Sequence, residues 1–371
     1  MSERRDEDAE TTVKNSERKG EDNGMPRTTT TNDEDMSHLA SPATFTGDDA
    51  QLAAEISIQL ETVEARLYEV TEQTRRLPDE TSKHLLAAGG KRARPNLVLL
   101  TARLGDAQNE DIVDAAVAVE LIHLASLYHD DVMDDAPVRR GAKAAHEVWG
   151  NSVAILTGDL LFSKASGVTA KLGPEAVRIQ AETFERLVLG QLNEFAGPPE
   201  GADEIEHYIQ VLADKTGSLI ATSARFGIMF SGADANLAEP VRVFGERVGV
   251  AFQLADDIID LTTTSSESGK TPGTDLRERV PTLPVLYVRA AAAEGDESAA
   301  EVVRLLDADL DSDEALEAAR AALAAHPVTE RARTEAARWA EESKAALAPL
   351  PDGRVKEALF AFADSVVSRS S

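Results

Sequence analysis

Leu121-Ile122-His123-Leu124-Ala125-Ser126-Leu127-Tyr128-His129-Asp130-Asp131-Val132-Met133-Asp134 and, 126 residues on, Phe252-Gln253-Leu254-Ala255-Asp256-Asp257-Ile258-Ile259-Asp260 are two versions of one pattern. In each, an apolar helical stretch closes on a DDxxD cluster. Side chains at i and i+4 stack on one helix face, so each cluster sets like charges side by side. That is costly in an apolar setting unless a cation neutralises them. On the first stretch, His123, Leu127, Asp130 and Asp134 share a face. On the second, Gln253, Asp256, Asp257 and Asp260 follow i, i+3, i+4, i+7. The plainer readings are a helix end fraying into a solvated acidic loop and the wet side of a surface helix. Against them stand the apolar flanks, which point to burial. Buried carboxylates must be paired or metal-bound. Mg²⁺ takes one or two carboxylates and completes its octahedron with water and substrate phosphate, so the paired clusters predict a phosphorylated substrate.

Cations lie where such a substrate would need them. Arg139-Arg140-Gly141 follows the first cluster within one loop, a layout suited to phosphate oxygens. Gly89-Gly90-Lys91-Arg92-Ala93-Arg94-Pro95 crowds three cations between two apolar helices. Either an anion sits there or the turn is solvated. Lys215-Thr216-Gly217-Ser218 lies inside the helical run 211–230, where a glycine-interrupted helix brings a lysine beside a hydroxyl; alone it reads as a kink. Lys270 begins a Gly/Thr/Pro loop after the second cluster, able to close over a diphosphate or simply to line the surface.

The 371 residues suit one large domain or two small ones. Residues 1–48 read as a disordered acidic arm, polar and with Phe45 as the one aromatic. The remaining 49–371 read as one catalytic domain. Ala, Leu and Glu dominate it, apolar residues recur at three and four, and no convincing alternating strand is found. Gly and Pro break the pattern at 89–90, 137–141, 197–201, 231–232, 262–274 and 349–353, leaving about ten to thirteen helices. The expected fold is an all-α, single-domain helical bundle.

Net charge is −28, of which the first fifty residues hold 13 Asp/Glu against 6 Lys/Arg, so the body is acidic too. Nucleic acid is excluded as a partner, since phosphate backbones demand a basic surface. Lysines number 11 against 27 arginines; salt adaptation and ordinary solubility charge explain this equally well. With no cysteine, disulfides, zinc–thiolate sites and thiol nucleophiles drop out. No run of about 18 uninterrupted apolar residues suggests a membrane span, and the N-terminus lacks a signal-peptide core. The expectation is a cytoplasmic enzyme with no stable membrane insertion.

Taken together, in order from Gly89-Gly90-Lys91-Arg92-Ala93-Arg94-Pro95 through both DDxxD clusters to Arg354 and the terminal helix, these residues resemble the trans-isoprenyl diphosphate synthases, or polyprenyl synthetases. The resemblance spans about residues 50–370. It implies the isoprenoid-synthase bundle around a central cavity, a homodimer, and head-to-tail condensation of an allylic prenyl diphosphate with isopentenyl diphosphate. By motif, it implies that Lys91, Arg94, His123 and Arg140 hold isopentenyl diphosphate. Asp130, Asp134, Asp256 and Asp260 would ligate about three Mg²⁺, with Asp131 and Asp257 in support. Arg139, Lys215, Thr216, Gln253 and Lys270 would grip the allylic diphosphate or steady the developing cation. One departure stands out: many relatives place a lysine just before Thr-Leu-Pro, where this chain has Arg279-Val280-Pro281-Thr282-Leu283-Pro284.

A class I terpene cyclase shares the ionisation chemistry but has no use for Lys91 and Arg94, and usually replaces the second Asp cluster. A regulatory subunit would be expected to lose aspartates that this chain keeps. A di-iron bundle needs two Glu-x-x-His pairs; Glu120 and His123 make one, and the second Asp-rich helix has no histidine. Product length is read from the turn before Asp130. Ser126 and Ala125 are small where, in this family, a bulky aromatic resembles a plug at fifteen or twenty carbons. The stop then lies deeper, near Ile122 or on a facing helix, and a product longer than twenty carbons is expected, with geranylgeranyl diphosphate as the alternative.

Overall fold

The computed structural model describes residues 49–90, 92–262 and 273–368. In chain order the α-helices are α1 (Ala50–Thr71), α2 (Arg76–Ala87), α3 (Ala93–Thr101), α4 (Asp111–Met133), α5 (Ala145–Trp149), α6 (Asn151–Lys171), α7 (Pro174–Ala196), α8 (Glu204–Leu212), α9 (Ser218–Phe230), α10 (Ala238–Thr262), α11 (Thr274–Arg277), α12 (Leu283–Ala293), α13 (Glu297–Leu306), α14 (Asp313–Ala325), α15 (Pro327–Ala346) and α16 (Arg354–Val367). The described residues thus hold sixteen α-helices, more than the ten to thirteen expected, because short helices such as α5 and α11 add to the twelve that have ten residues or more. One strand pair departs from the all-helical reading: β1 (Val138–Arg139) and β2 (Ala142–Lys143) form a two-rung antiparallel hairpin. Arg140 and Gly141 turn it at φ 54° and 73°, the conformation two-residue hairpin turns require.

Local chemistry sets many helix starts. Asp49, Asp203, Asp296 and Ser312 accept backbone N–H bonds from the first turns of α1, α8, α13 and α14, and Pro174, Pro284 and Pro327 occupy first turns of α7, α12 and α15. Helix α4 is central. It packs along α6 and against α1, α3 and α9, and fifteen of its 23 residues are buried. By length and composition it is apolar enough to cross a membrane, with a mean hydropathy of 1.4 over its best 18 residues. An uninterrupted apolar run is the wrong measure for it: Glu120 and His123 interrupt the run without lowering the average enough. Its place is inside the protein, with 78% of that window buried.

Helix α10 packs on α9 and α15. Its crossing with α9 and the turn before it is close: a Cβ on Gly245 would lie 2.7 Å from Ala221 Cα, and one on Gly249 would lie 2.7 Å from Gly217 Cα. Only glycine permits that approach. Between α8 and α9 the chain stays helical but widens into a π-helical turn, Ala213–Gly217. Such turns insert a residue into the helix and recur at functional sites. Lys215 and Thr216 sit on it, so the kink expected at this glycine is a π-turn.

Candidate active site

Both acidic clusters come off buried helix ends. Asp130 and Asp134 are half-buried at the end of α4 and Asp131 is fully buried. On α10, Asp256 and Asp257 are buried and Asp260 is half-buried. Asp131 is tied to the hairpin: Arg139 Nε donates to its Oδ1 at 2.7 Å, and both side chains are sealed from solvent. Asp257 accepts a very short hydrogen bond from the Tyr208 hydroxyl. Asp260 Oδ2 accepts the Asp275 backbone N–H at 3.2 Å, holding the start of α11 on the end of α10.

The two clusters meet around Lys215 and Glu194. Lys215 Nζ donates to Glu194 Oε2 at 2.5 Å. Burial raises the Asp130 carboxyl to about 6; Lys215 and Arg139 oppose the rise, while Asp131 and Glu194 add to it. Burial also lifts Asp257 to about 7, against hydrogen bonds from Tyr208 and Gln253, with Asp260 and Glu194 pushing the same way as burial. Asp275 is held well above the ordinary carboxylate range by burial and then by Asp260 and Asp257. These acids cannot all ionise together in the protein alone. An all-carboxylate oxygen donor set that resists ionisation until a cation arrives fits a hard divalent metal.

A basic cluster forms where the α2–α3 turn, α4 and the hairpin converge. Arg92 is not waiting for an external anion. Its Nε and Nη2 donate to Glu64 at 2.7 and 2.8 Å, and its Nη1 donates to Glu120 at 3.0 Å. Glu64 and Glu120 neutralise it within the protein. Burial works to raise the Glu120 carboxyl, but Arg92, His123, Arg140 and Arg94 outweigh it and hold the group below its usual range. Glu120 is thus the carboxylate around which three arginines and a histidine assemble. Arg140 reaches back across Gly90 to donate to Gly89 O and to Leu85 O, at 2.5 and 3.2 Å. A Cβ at Gly90 would lie 2.6 Å from the Arg140 guanidinium carbon and 2.8 Å from Arg92 Nη1, so this glycine makes room for both arginines. Lys91 and Lys270 lie outside the described residues.

A cavity of about 390 Å³ joins these parts. Arg94, His123, Ser126, Asp130, Lys215, Thr216 and Gln253 line it, together with an apolar wall that includes Phe162, Phe184, Leu187, Val188, Phe195 and Phe252. Thr216 Oγ1 lies 3.4 Å from Gln253 Oε1. Ser126 faces the cavity, whereas Ala125 and Ile122 are fully buried within the helix packing and are not part of the lining. Phe162 and Phe184 meet with ring centroids 4.3 Å apart and planes tilted by 51°, and Phe162 also lies against His129. They bring an aromatic pair onto the cavity wall from α6 and α7.

Two residues of the family resemblance lie elsewhere. Arg279 donates to Ala308 O at 3.0 Å and so fastens the chain just past the end of α13. Arg354 pairs with Asp49 at 2.9 Å. Sequence reasoning missed Glu64, Glu194, Tyr208 and Asp275. Only Glu194 left a trace, as the polar partner of Gln191 at i, i+3 near the end of an otherwise amphipathic α7.

The profile of the Polyprenyl synthetase family matches residues 76–323. Nonaprenyl diphosphate synthase of Mycobacterium tuberculosis is 46% identical over 322 residues, covering 86% of this chain and 95% of that one. Geranylgeranyl pyrophosphate synthase of Corynebacterium glutamicum, solved with calcium and isoprenyl diphosphate, superposes with a TM-score of 0.77 at 42% identity, covering 87% and 98%. Decaprenyl diphosphate synthase of Rhodobacter capsulatus superposes with a TM-score of 0.77 at 32% identity, covering 86% and 99%. The chain belongs to the polyprenyl synthetase family and is a prenyltransferase.

Proposed function

We propose that this enzyme condenses isopentenyl diphosphate head-to-tail with an allylic prenyl diphosphate, in a Mg²⁺-dependent reaction, and extends the chain beyond twenty carbons. The observation that carries the reading is one cavity whose lining joins Arg94 and His123, Asp130 and Lys215, and an apolar wall. Asp130 and Asp134 on α4, with Asp256 and Asp260 on α10, would hold about three Mg²⁺. Bound there, Mg²⁺ would neutralise charge on the departing diphosphate and so favour ionisation of the allylic C–O bond. Lys215, Thr216 and Gln253 hold that diphosphate from the π-turn and α10. Arg94, His123 and Arg140 hold isopentenyl diphosphate with its double bond toward the allylic carbon. Asp131 and Arg139 brace the hairpin beneath them. Phe162, Phe184 and Phe252 keep water from the carbocation. No protein nucleophile is required.

Small Ser126 on the wall supports a long product. The alternative, a twenty-carbon product, takes its support from the likeness to the Corynebacterium glutamicum enzyme. The working unit is a homodimer. Ile155 and Leu156 on α6, and Val177, Phe184, Val188, Leu189 and Leu192 on α7, are exposed large apolar side chains, a face that needs a partner. Phe184, Val188 and Leu192 belong to both this face and the cavity wall, so a second protomer would close the cavity's open side.

The test is product analysis with labelled isopentenyl diphosphate and allylic primers of ten to twenty carbons, with and without Mg²⁺. Products beyond twenty carbons support the reading; termination at fifteen or twenty refutes the length assignment. Arg94→Ala should raise KM for isopentenyl diphosphate, and Lys215→Ala that for the allylic substrate, each about ten- to a hundredfold for a lost charge-assisted hydrogen bond of about 1.5–3 kcal/mol. Equal effects on both substrates would overturn the two-site division.

A further inference from the structure

His146 opens α5, just past the arginine hairpin, and takes no part in the chemistry above. It is 7% exposed, and neither ring nitrogen has a hydrogen-bond partner among the protein atoms. A buried imidazole left in that state loses the solvation of two polar atoms. Its Nε2 nevertheless faces two carboxylates, lying 3.7 Å from Asp135 Oδ1 and 3.7 Å from Glu147 Oε1. One ligand atom from each of the three residues lies within 4.8 Å of the others.

At 3.7 Å a ring N–H makes a hydrogen bond to neither oxygen. A tetrahedral cation with bonds of about 2.0–2.2 Å holds its ligand atoms about 3.4 Å apart. The two distances from His146 need to close by only a few tenths of an ångström, and the set as a whole, now within 4.8 Å, by at most about 1.4 Å. Both carboxylates stand on exposed side chains that can rotate to do this, the Asp135 side chain being 91% exposed and that of Glu147 48%. Their solvent side leaves room for water as the remaining ligand. One imidazole with two carboxylates suits Zn²⁺ and its neighbours, whereas Mg²⁺ prefers oxygen alone.

We propose that Asp135, His146 and Glu147 form a second cation site, for a divalent transition metal of the Zn²⁺ type, separate from the Asp-rich clusters. Asp135 precedes β1, and His146 and Glu147 follow β2. An ion held between them ties together the two ends of the segment that presents Arg139 and Arg140. Occupancy would stiffen the hairpin and so tune how firmly the arginines are held.

The test uses full-length, metal-stripped protein with excess Mg²⁺ to fill the carboxylate clusters. Co²⁺ is titrated and followed by its visible absorption, then displaced with Zn²⁺. Wild type should bind one Co²⁺ that Zn²⁺ displaces and Mg²⁺ does not. His146→Ala should weaken this about 10- to 100-fold. Asp135→Asn and Glu147→Gln, both at exposed side chains and so without risk to folding, should each weaken it by about tenfold. Hydrogen exchange across residues 136–144 should slow with Zn²⁺ in wild type and not in the variants. If Co²⁺ binding is untouched by all three substitutions and vanishes only in Asp130→Ala/Asp256→Ala, the metal goes to the Asp-rich clusters and the proposal fails. Displacement of Co²⁺ by Mg²⁺ in wild type would overturn it equally.

Discussion

Replacing Arg92 with methionine separates a structural cation from a substrate-binding one. The side chain is 4% exposed and bridges Glu64 on α1 to Glu120 on α4 through three charge-assisted hydrogen bonds. Two further bonds reach Gly89 O at 3.2 Å and Leu86 O at 3.4 Å. Methionine keeps much of the volume but strands Glu120, 1% exposed, without its main counter-charge. Breaking a buried ion pair from one side costs about 3–5 kcal/mol. With an m-value of about 3 kcal/mol per molar urea, the unfolding midpoint should fall by about 1–1.7 M at fixed protein and salt concentration. Arg92→Met/Glu120→Gln, which removes the stranded charge, should recover much of that loss. The wild-type contribution has a defined pH window. Glu120 is held below its ordinary value, so the stability it adds is present above the unfolded carboxylate pKa and is lost as pH falls through the depressed folded one. The assays are equilibrium urea unfolding and steady-state kinetics on the same preparations. An unchanged midpoint with a ten- to hundredfold rise in KM for isopentenyl diphosphate would refute the reasoning. Arg92 would then serve the substrate, as its crowded sequence neighbourhood suggests.

Asp130→Ala or Asp256→Ala should abolish turnover while leaving the helical circular dichroism intact, and stability in chelator should hold or rise because like-charge repulsion is relieved; near-wild-type activity would remove these residues from the metal site. In chelator, wild-type stability should fall as pH rises from 5 to 8. Asp130 and Asp257 take up protons more readily folded than unfolded, and the stability this adds is lost as pH passes about 6 and about 7. Asp257→Asn should flatten that slope in thermal unfolding, and an identical slope in the variant would show that another group titrates. Ser126→Phe should shorten the product to fifteen or twenty carbons while sparing the first condensation. Ala125→Phe should instead overpack buried α4 and lower stability by about 1–3 kcal/mol; the opposite pairing of effects, read from product chromatography and thermal melts, would mean that the cavity lies on the other side of the helix.

The features legible in the amino-acid sequence are those whose physics is local. Apolar periodicity with Gly and Pro breaks yields the helices, because amphipathic burial and chain termination act within a few residues. The DDxxD clusters announce a cation, because i, i+4 geometry sets their charges together wherever the helix goes. Three things required the assembled chain. Helix α4 has fifteen buried residues spread over its faces, so its sequence carries no rotational phase. Neighbours such as Ala125 and Ser126 project about 100° apart, and only packing decides that Ser126 meets the cavity. The partner of each charge is likewise long-range. Arg92 pairs with Glu64 and Glu120, Lys215 with Glu194, and Tyr208 with Asp257, over separations of 21 to 49 residues. No periodicity reports which cation a protein neutralises itself and which it leaves for a ligand. Last, the two strands at 138–143 are too short to alternate. Their hairpin exists because the turn at Arg140-Gly141 and the pull of Asp131 on Arg139 close it, and burial of that ion pair is a property of the fold.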